Sequence, residues 1–377
     1  MYSAHSGGRE AVMLTHIFQS RTSGRRRSLR LLAAAATFGL GVSSLPAVSL
    51  ADEGGVSFWV PGLFSSFAAS PSAPGWAITA IDYYTNVSGG GTVAASREIT
   101  IGKLPAGASV SLNANLHADA ELGFVEPNYT FATPVFGGQL QVGMLMAAGR
   151  TDAALAGTIT AGVGPFTATK SGGFSDQTTG FGDLVPIMSL RWNSGVNNFM
   201  TYVAGDIPVG TYSSTQLANI GIGHGAIDSG VSYTYLNPKL GQEFSVTTGL
   251  TYNLVNQSTG YQNGIDWHLD WGLSQFVTKE AFFGAVGYIY NQLTADSGSA
   301  PIISPVESRV VGIGPQIGFI IPVGSVQTYL NFKAYEEFDG FDRPSGFNTW
   351  VVLSLSPNPQ TPTAASSPPL ITKSGMR

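Results

Sequence analysis

The stretch GIDWHLDWGLSQFV (264–277) carries Asp266, His268 and Asp270 at every second position. An imidazole flanked by two carboxylates on one face is a donor set for a metal ion or a proton relay. Spacing weighs against the metal. Successive same-face residues of a strand stand roughly 6.5–7 Å apart, too far for all three to reach one ion unaided. The intervening Ile265, Trp267, Leu269 and Trp271 are large and apolar. The charged row therefore reads first as the polar face of a wall, and no metal or other cofactor is expected.

Other chemistry is weaker still. No G-x-S-x-G elbow occurs, and beyond residue 51 the histidines are His117, His224 and His268. A lipid-hydrolysing barrel would need a Ser/His pair on its outer face, and His268 has the parity of the polar face. The glycine-rich GIGHGAIDSG (221–230) precedes no helical pattern, so it reads as loop rather than as a phosphate cradle.

The elements that carry these residues alternate at period two. In QEFSVTTGLTYNL (242–254), Phe244, Val246, Leu250, Tyr252 and Leu254 oppose Glu243, Ser245, Thr247 and Thr251. Segments 183–192, 310–321 and 326–337 repeat the pattern, with Gly, Asn, Pro and Ser clusters between them. Such segments suit a β-sandwich or a membrane barrel. Strand length, about 9–13 residues, favours the barrel. So does a polar row rich in Gly, Ser, Thr and Asn with few Lys or Glu. Trp192, Tyr202, Tyr235, Tyr252, Trp267, Trp271, Tyr288, Tyr290 and Trp350 lie near segment ends, as interfacial girdles require.

Connections alternate in length. They are short at 193–198, 237–242, 278–281 and 323–325, and longer at 209–229, 256–263, 293–307 and 338–346. Short periplasmic turns and long outer loops give this alternation, and an even strand number follows. At about 20 residues per strand and loop, the region 76–356 predicts an all-β, antiparallel up-and-down barrel of about 14 strands, with 12 as second choice. The region 76–170 parses poorly, since 105–134 fits one strand or two.

The flanks differ. Arg21, Arg25, Arg26, Arg27 and Arg30 precede LLAAAATFGLGV, and Ser49 and Ala51 suit a signal peptidase, so 1–51 reads as a cleaved signal peptide. That segment holds six arginines and one glutamate, and its removal takes the net charge from −5 to about −10. Nucleic-acid binding loses its electrostatic basis. Residues 52–75 form an apolar knot around Phe58, Trp59, Leu63, Phe64 and Phe67, a collar at the periplasmic rim or a plug in the lumen. The Pro/Ser/Thr-rich 357–377 reads as a disordered tail.

Six stretches, 54–76, 217–253, 264–276, 286–298, 308–324 and 329–350, resemble the meta-pathway of phenol degradation family. The resemblance implies an outer-membrane β-barrel of transporter type, often linked to use of aromatic hydrocarbons. At the level of fold only, it is also similar to outer-membrane long-chain fatty acid transporters.

The reading is a bacterial outer-membrane channel for passive uptake of small, aromatic or hydrophobic compounds, and not an enzyme. Its expected partners are outer-membrane lipid, small-molecule solutes and the barrel-assembly machinery. Candidate pore-lining residues are Asp183, Arg191, Glu243, Asp266, His268, Asp270, Gln316, Asn331, Lys333 and Glu337. Leu217, Ile220, Ile222 and Phe341 are candidates for an apolar vestibule. A structural or adhesive barrel without transport is the alternative, and a lipid-hydrolysing barrel enzyme a lesser one.

Overall fold

A computed structural model describes residues 57–90, 108–163, 166–298 and 307–358. The expected signal peptide and all but the first two residues of the expected tail lie outside them. The chain forms β1 (Gly75–Gly90), β2 (Ala108–Thr130), β3 (Gln139–Val163), β4 (Phe166–Ser194), β5 (Asn197–Gly205), β6 (Ala226–Asn237), β7 (Gln242–Asn253), β8 (Tyr261–Gln262), β9 (Asp266–Phe276), β10 (Ala281–Gln292), β11 (Ser297–Gly298), β12 (Arg309–Val323), β13 (Val326–Phe341) and β14 (Ser345–Pro357). No helix occurs among the described residues.

Twelve of these strands pair antiparallel with their neighbours and close into a barrel. The seam joins β1 to β14, from Ile78 opposite Leu355 to Ser88 opposite Ser345. The two-residue β8 and β11 pair with each other outside the barrel sheet. Closure removes every sheet edge within the bilayer, where an unpaired backbone group has no water to bond.

The count is 12, not about 14, because three strands are longer than the average used to reach 14. β2, β3 and β4 have 23, 25 and 29 residues, against the roughly 9–11 that cross a bilayer. Residues 108–130 are a single strand. The turns 195–196, 238–241, 277–280 and 324–325 lie at one end, together with the start of β1 and the end of β14. At the other end the last connection, 342–344, is short rather than long, because β13 and β14 extend into it.

Parity is as the alternation predicts. Along β9, Asp266, His268 and Asp270 are buried while Trp267, Leu269 and Trp271 are only partly so and Leu273 is exposed. The outward row forms an apolar belt that includes Val231, Leu250, Phe283, Ile317 and Leu353. The girdle expectation needs correction. Tyr202, Tyr288, Tyr290 and Trp350 are 0–3% exposed and point inward. Inward-facing aromatic side chains bury 150–250 Å² each, and here they fill a bore that polar strand residues alone would leave open.

Candidate functional site

The interior of the barrel is occupied by residues 57–74. This segment makes no strand. It folds through two tight turns, Leu63 N to Val60 O at 3.1 Å and Ser70 N to Phe67 O at 2.9 Å. Without a strand ladder its backbone donors need side-chain partners, and inward-facing wall residues supply them. Asp270 accepts from Gly62 N at 3.0 Å and Phe64 N at 3.1 Å. Phe67 N donates to Glu243 Oε1 and to Ser245 Oγ, both at 2.9 Å. Ala69 N donates to Thr234 Oγ1 at 3.1 Å. Lys333 Nζ donates to Gly62 O at 2.6 Å and lies 4.7 Å from the centroid of the Trp350 ring. Gln316 Nε2 donates to Ser66 Oγ at 2.7 Å, and Asn331 Nδ2 to Gln316 Oε1 at 3.2 Å.

Two glycines make the fit possible. A Cβ on Gly272 of β9 would lie 2.6 Å from Ser66 N and 2.5 Å from its Oγ. Gly62 has φ of +90°, open to glycine alone at little cost, and turns the segment against the Tyr335 ring.

The Asp266, His268 and Asp270 row enters three different arrangements. Asp270 holds the internal segment. Asp266 Oδ2 accepts from Asn253 Nδ2 at 2.7 Å. His268 Nε2 pairs with Asp228 Oδ2 of β6 at 2.9 Å, and its ring stacks on Trp59 with centroids 3.7 Å apart. Thr251 Oγ1 donates to the same Asp228 oxygen at 2.6 Å. Among the described residues no three His, Asp or Glu side chains gather around one point in metal-ligand geometry.

The remaining candidates also face inward. Glu337 accepts from Tyr288 OH at 2.6 Å and Gly346 N at 3.0 Å. Arg191 Nη1 donates to Gln141 Oε1 and Ser189 Oγ, both at 2.7 Å. Asp183 accepts from Gly210 N and Ile222 N, both at 2.7 Å, and so ties the outer loop 206–225 down into the mouth. Leu217 and Ala218 of that loop pack on Leu116, Ala153 and Leu155. Phe341 does not join them. It sits under the Arg309 guanidinium, 5.9 Å from its centroid.

Three clefts surround the internal segment. One of about 860 Å³ lies against β2–β5, lined by Leu122, Phe124, Leu145, Val185, Ile187, Ile220 and Ile222. A second, of about 1050 Å³, adjoins it, sharing Trp59, Val60, Leu122 and Ile220, and also meets Tyr83, Glu337 and Arg343. The third, of about 1760 Å³, lies toward the turn end and is more polar than the first, with Glu126, Gln141, Arg191, Asn331 and Lys333. Leu63, Phe64, Leu145 and Ile187 line both the first and the third.

Asp206, the first residue of the outer loop, lines the first cleft. Burial, and after it the charge of Asp183, pushes its carboxyl up to about 8.

The alternation did not reveal the apolar wall of β2–β4. There the middle of the inward row (Leu122, Phe124, Leu145, Val185 and Ile187) is as apolar as the outward one, so period two is lost over that stretch. Asp228 was also missed, inside what read as a loop. Carrying the alternation of Tyr233 and Val231 back to Ile227 would have placed it inward.

A closed antiparallel barrel with an apolar outer belt and a filled, polar-networked bore is a membrane-spanning barrel of the bacterial outer-membrane type. The family described as "Putative MetA-pathway of phenol degradation" matches residues 86–353, and the chain belongs to it. The fold is similar to that of an outer membrane channel from Pseudomonas putida F1, with a TM-score of 0.53, 10% identity, and coverage of 77% of this chain and 98% of that one. A FadL homologue from Pseudomonas aeruginosa aligns less well, with a TM-score of 0.35, 9% identity, and coverage of 83% and 98%. No curated protein sequence matches the chain.

Proposed function

We propose that the protein is a passive outer-membrane channel for small apolar or amphipathic solutes, aromatic compounds among them, gated by residues 57–74. The observation that carries this reading is the arrangement of the clefts. An apolar chamber against β2–β5 on the outer side meets a more polar chamber on the periplasmic side, and Leu63, Phe64, Leu145 and Ile187 line both.

The asymmetry of the internal segment supports a gate over a static filler. Most of its hydrogen bonds run to β6, β7, β9, β12 and β13, and a reciprocal pair joins Ser72 to Gln139 at the turn end of β3. Beyond that pair, the side chains that face it from β2–β4 across the first cleft are the apolar Leu122, Phe124, Leu145, Val185 and Ile187. Apolar contact is non-directional, so a solute can part that side while the polar side holds. The ten inward candidates, on this reading, line the pore once the segment shifts.

Planar-bilayer recording of the refolded full chain and of a variant lacking 55–72 tests the proposal. The intact barrel is expected to conduct poorly and the deletion to conduct strongly. A deletion variant that folds and stays silent removes the gate, and with it the channel, leaving the structural-barrel alternative. Growth on an aromatic carbon source with and without the protein tests the solute class.

A further inference from the structure

The cleft against β2–β5 is apolar on its walls, and Asp183 and Asp206 are its only charged lining residues. Asp183 is committed to the loop through Gly210 N and Ile222 N. Asp206 is held differently. Its backbone N donates to Ala226 O at 2.8 Å, which fixes the residue at the start of the loop. Its Oδ2 is buried and has no hydrogen-bond partner among the described residues. Leaving such an oxygen without a donor is costly, and a ligand that brings one recovers the loss. Among the described residues no Lys or Arg lines this cleft to receive an anion.

We propose that this cleft binds apolar, ring-sized molecules carrying a hydrogen-bond-donating head, a hydroxyl or a protonated amine, which Asp206 receives, and that it turns away carboxylates. The apolar walls take the ring. The carboxylate of Asp183 adds attraction for a cationic head and repulsion for an anionic one, in a setting where little water screens either. This deepens the channel reading and names a solute class for its outer chamber.

Four probes of similar size separate the possibilities: phenethylamine, 2-phenylethanol, phenylacetate and ethylbenzene. Binding to the refolded full chain is read by quenching of Trp59, which lines the cleft, with Trp59→Phe as the blank. The amine and the alcohol should bind at least tenfold more tightly than phenylacetate. At pH 9, where the Asp206 carboxyl is ionised, Asp206→Asn should weaken the amine at least tenfold and leave ethylbenzene unchanged. Phenylacetate binding as tightly as the amine overturns the assignment on the unmodified protein alone, whether or not the variant folds. An unchanged order in a folded Asp206→Asn does the same. Solute flux with no binding at Trp59 rejects this assignment and leaves the channel standing. Binding in the expected order without flux keeps the assignment and rejects the channel.

Discussion

Asp270 is the residue on which the internal segment most depends, since one carboxylate receives two of its backbone donors. Hydrogen bonds to a charged group contribute about 1.5–3 kcal/mol each. Asp270→Ala removes both, about 3–6 kcal/mol together, and the open-to-closed ratio in single-channel records is expected to rise roughly a hundredfold to ten-thousandfold. An unaltered record would mean that the segment is held by its apolar contacts. Asp206 gives a prediction in pH. Its carboxyl is raised to about 8, so between the ordinary carboxylate range and pH 8 the folded protein binds more protons than the unfolded one. Stability from this group is complete below about pH 4 and falls as pH rises toward 8. Asp206→Asn, which mimics the protonated form, should therefore match the wild type in Tm at low pH and exceed it at pH 9. Equal melting at both pH values would count against the raised value. At this scale the sequence was informative about direction and silent about partners. Parity placed Asp266, His268 and Asp270 on the inner face, but nothing local indicates that Trp59, more than 200 positions away, stacks on His268.

Strands obey a stricter grammar than the segment they enclose. Leu273 and Gly272 are adjacent in β9 yet belong to different media. Leu273 is outward and 45% exposed, whereas Gly272 abuts Ser66. Leu273→Lys should cost about 2–4 kcal/mol near the bilayer midplane, read by urea unfolding from lipid vesicles. Gly272→Lys should leave the barrel assembled and displace the internal segment, giving larger conductance with little change in unfolding. Similar responses at the two positions would contradict the assigned register. The strands β6, β7 and β9 were legible because their inward rows are polar. In the middle of β2–β4 both rows are apolar, and strand length and number could not be read there. Residues 57–74 have no period of their own, so collar and plug looked alike until the wall supplied hydrogen-bond partners for their backbone.

For the whole molecule, charge decides what an emptied bore would pass. The inward carboxylates described above are Glu126, Asp183, Asp206, Asp228, Glu243, Asp266, Asp270 and Glu337, against Arg191, Lys333 and Arg343. The barrel lacking 55–72 should prefer cations, seen as the sign of the reversal potential in a potassium chloride gradient. Anion preference would show that the basic side chains hold the constriction. Composition and alternation were enough to recognise the class of barrel, because lipid and water impose opposite demands on the two faces of every strand.

The reach of the internal contacts also bears on how the protein folds. Gly62 meets Asp270 across 208 positions of chain and Lys333 across 271. Contacts this remote close large loops and form late. The acceptors for Gly62, Phe64, Phe67 and Ala69 sit on three separate strands, β6, β7 and β9, and they converge only after those strands have paired. Insertion therefore passes through a hollow cylinder whose internal segment, residues 57–74, has yet to dock. Until they do, each newly made molecule is an open leak in the membrane it has joined.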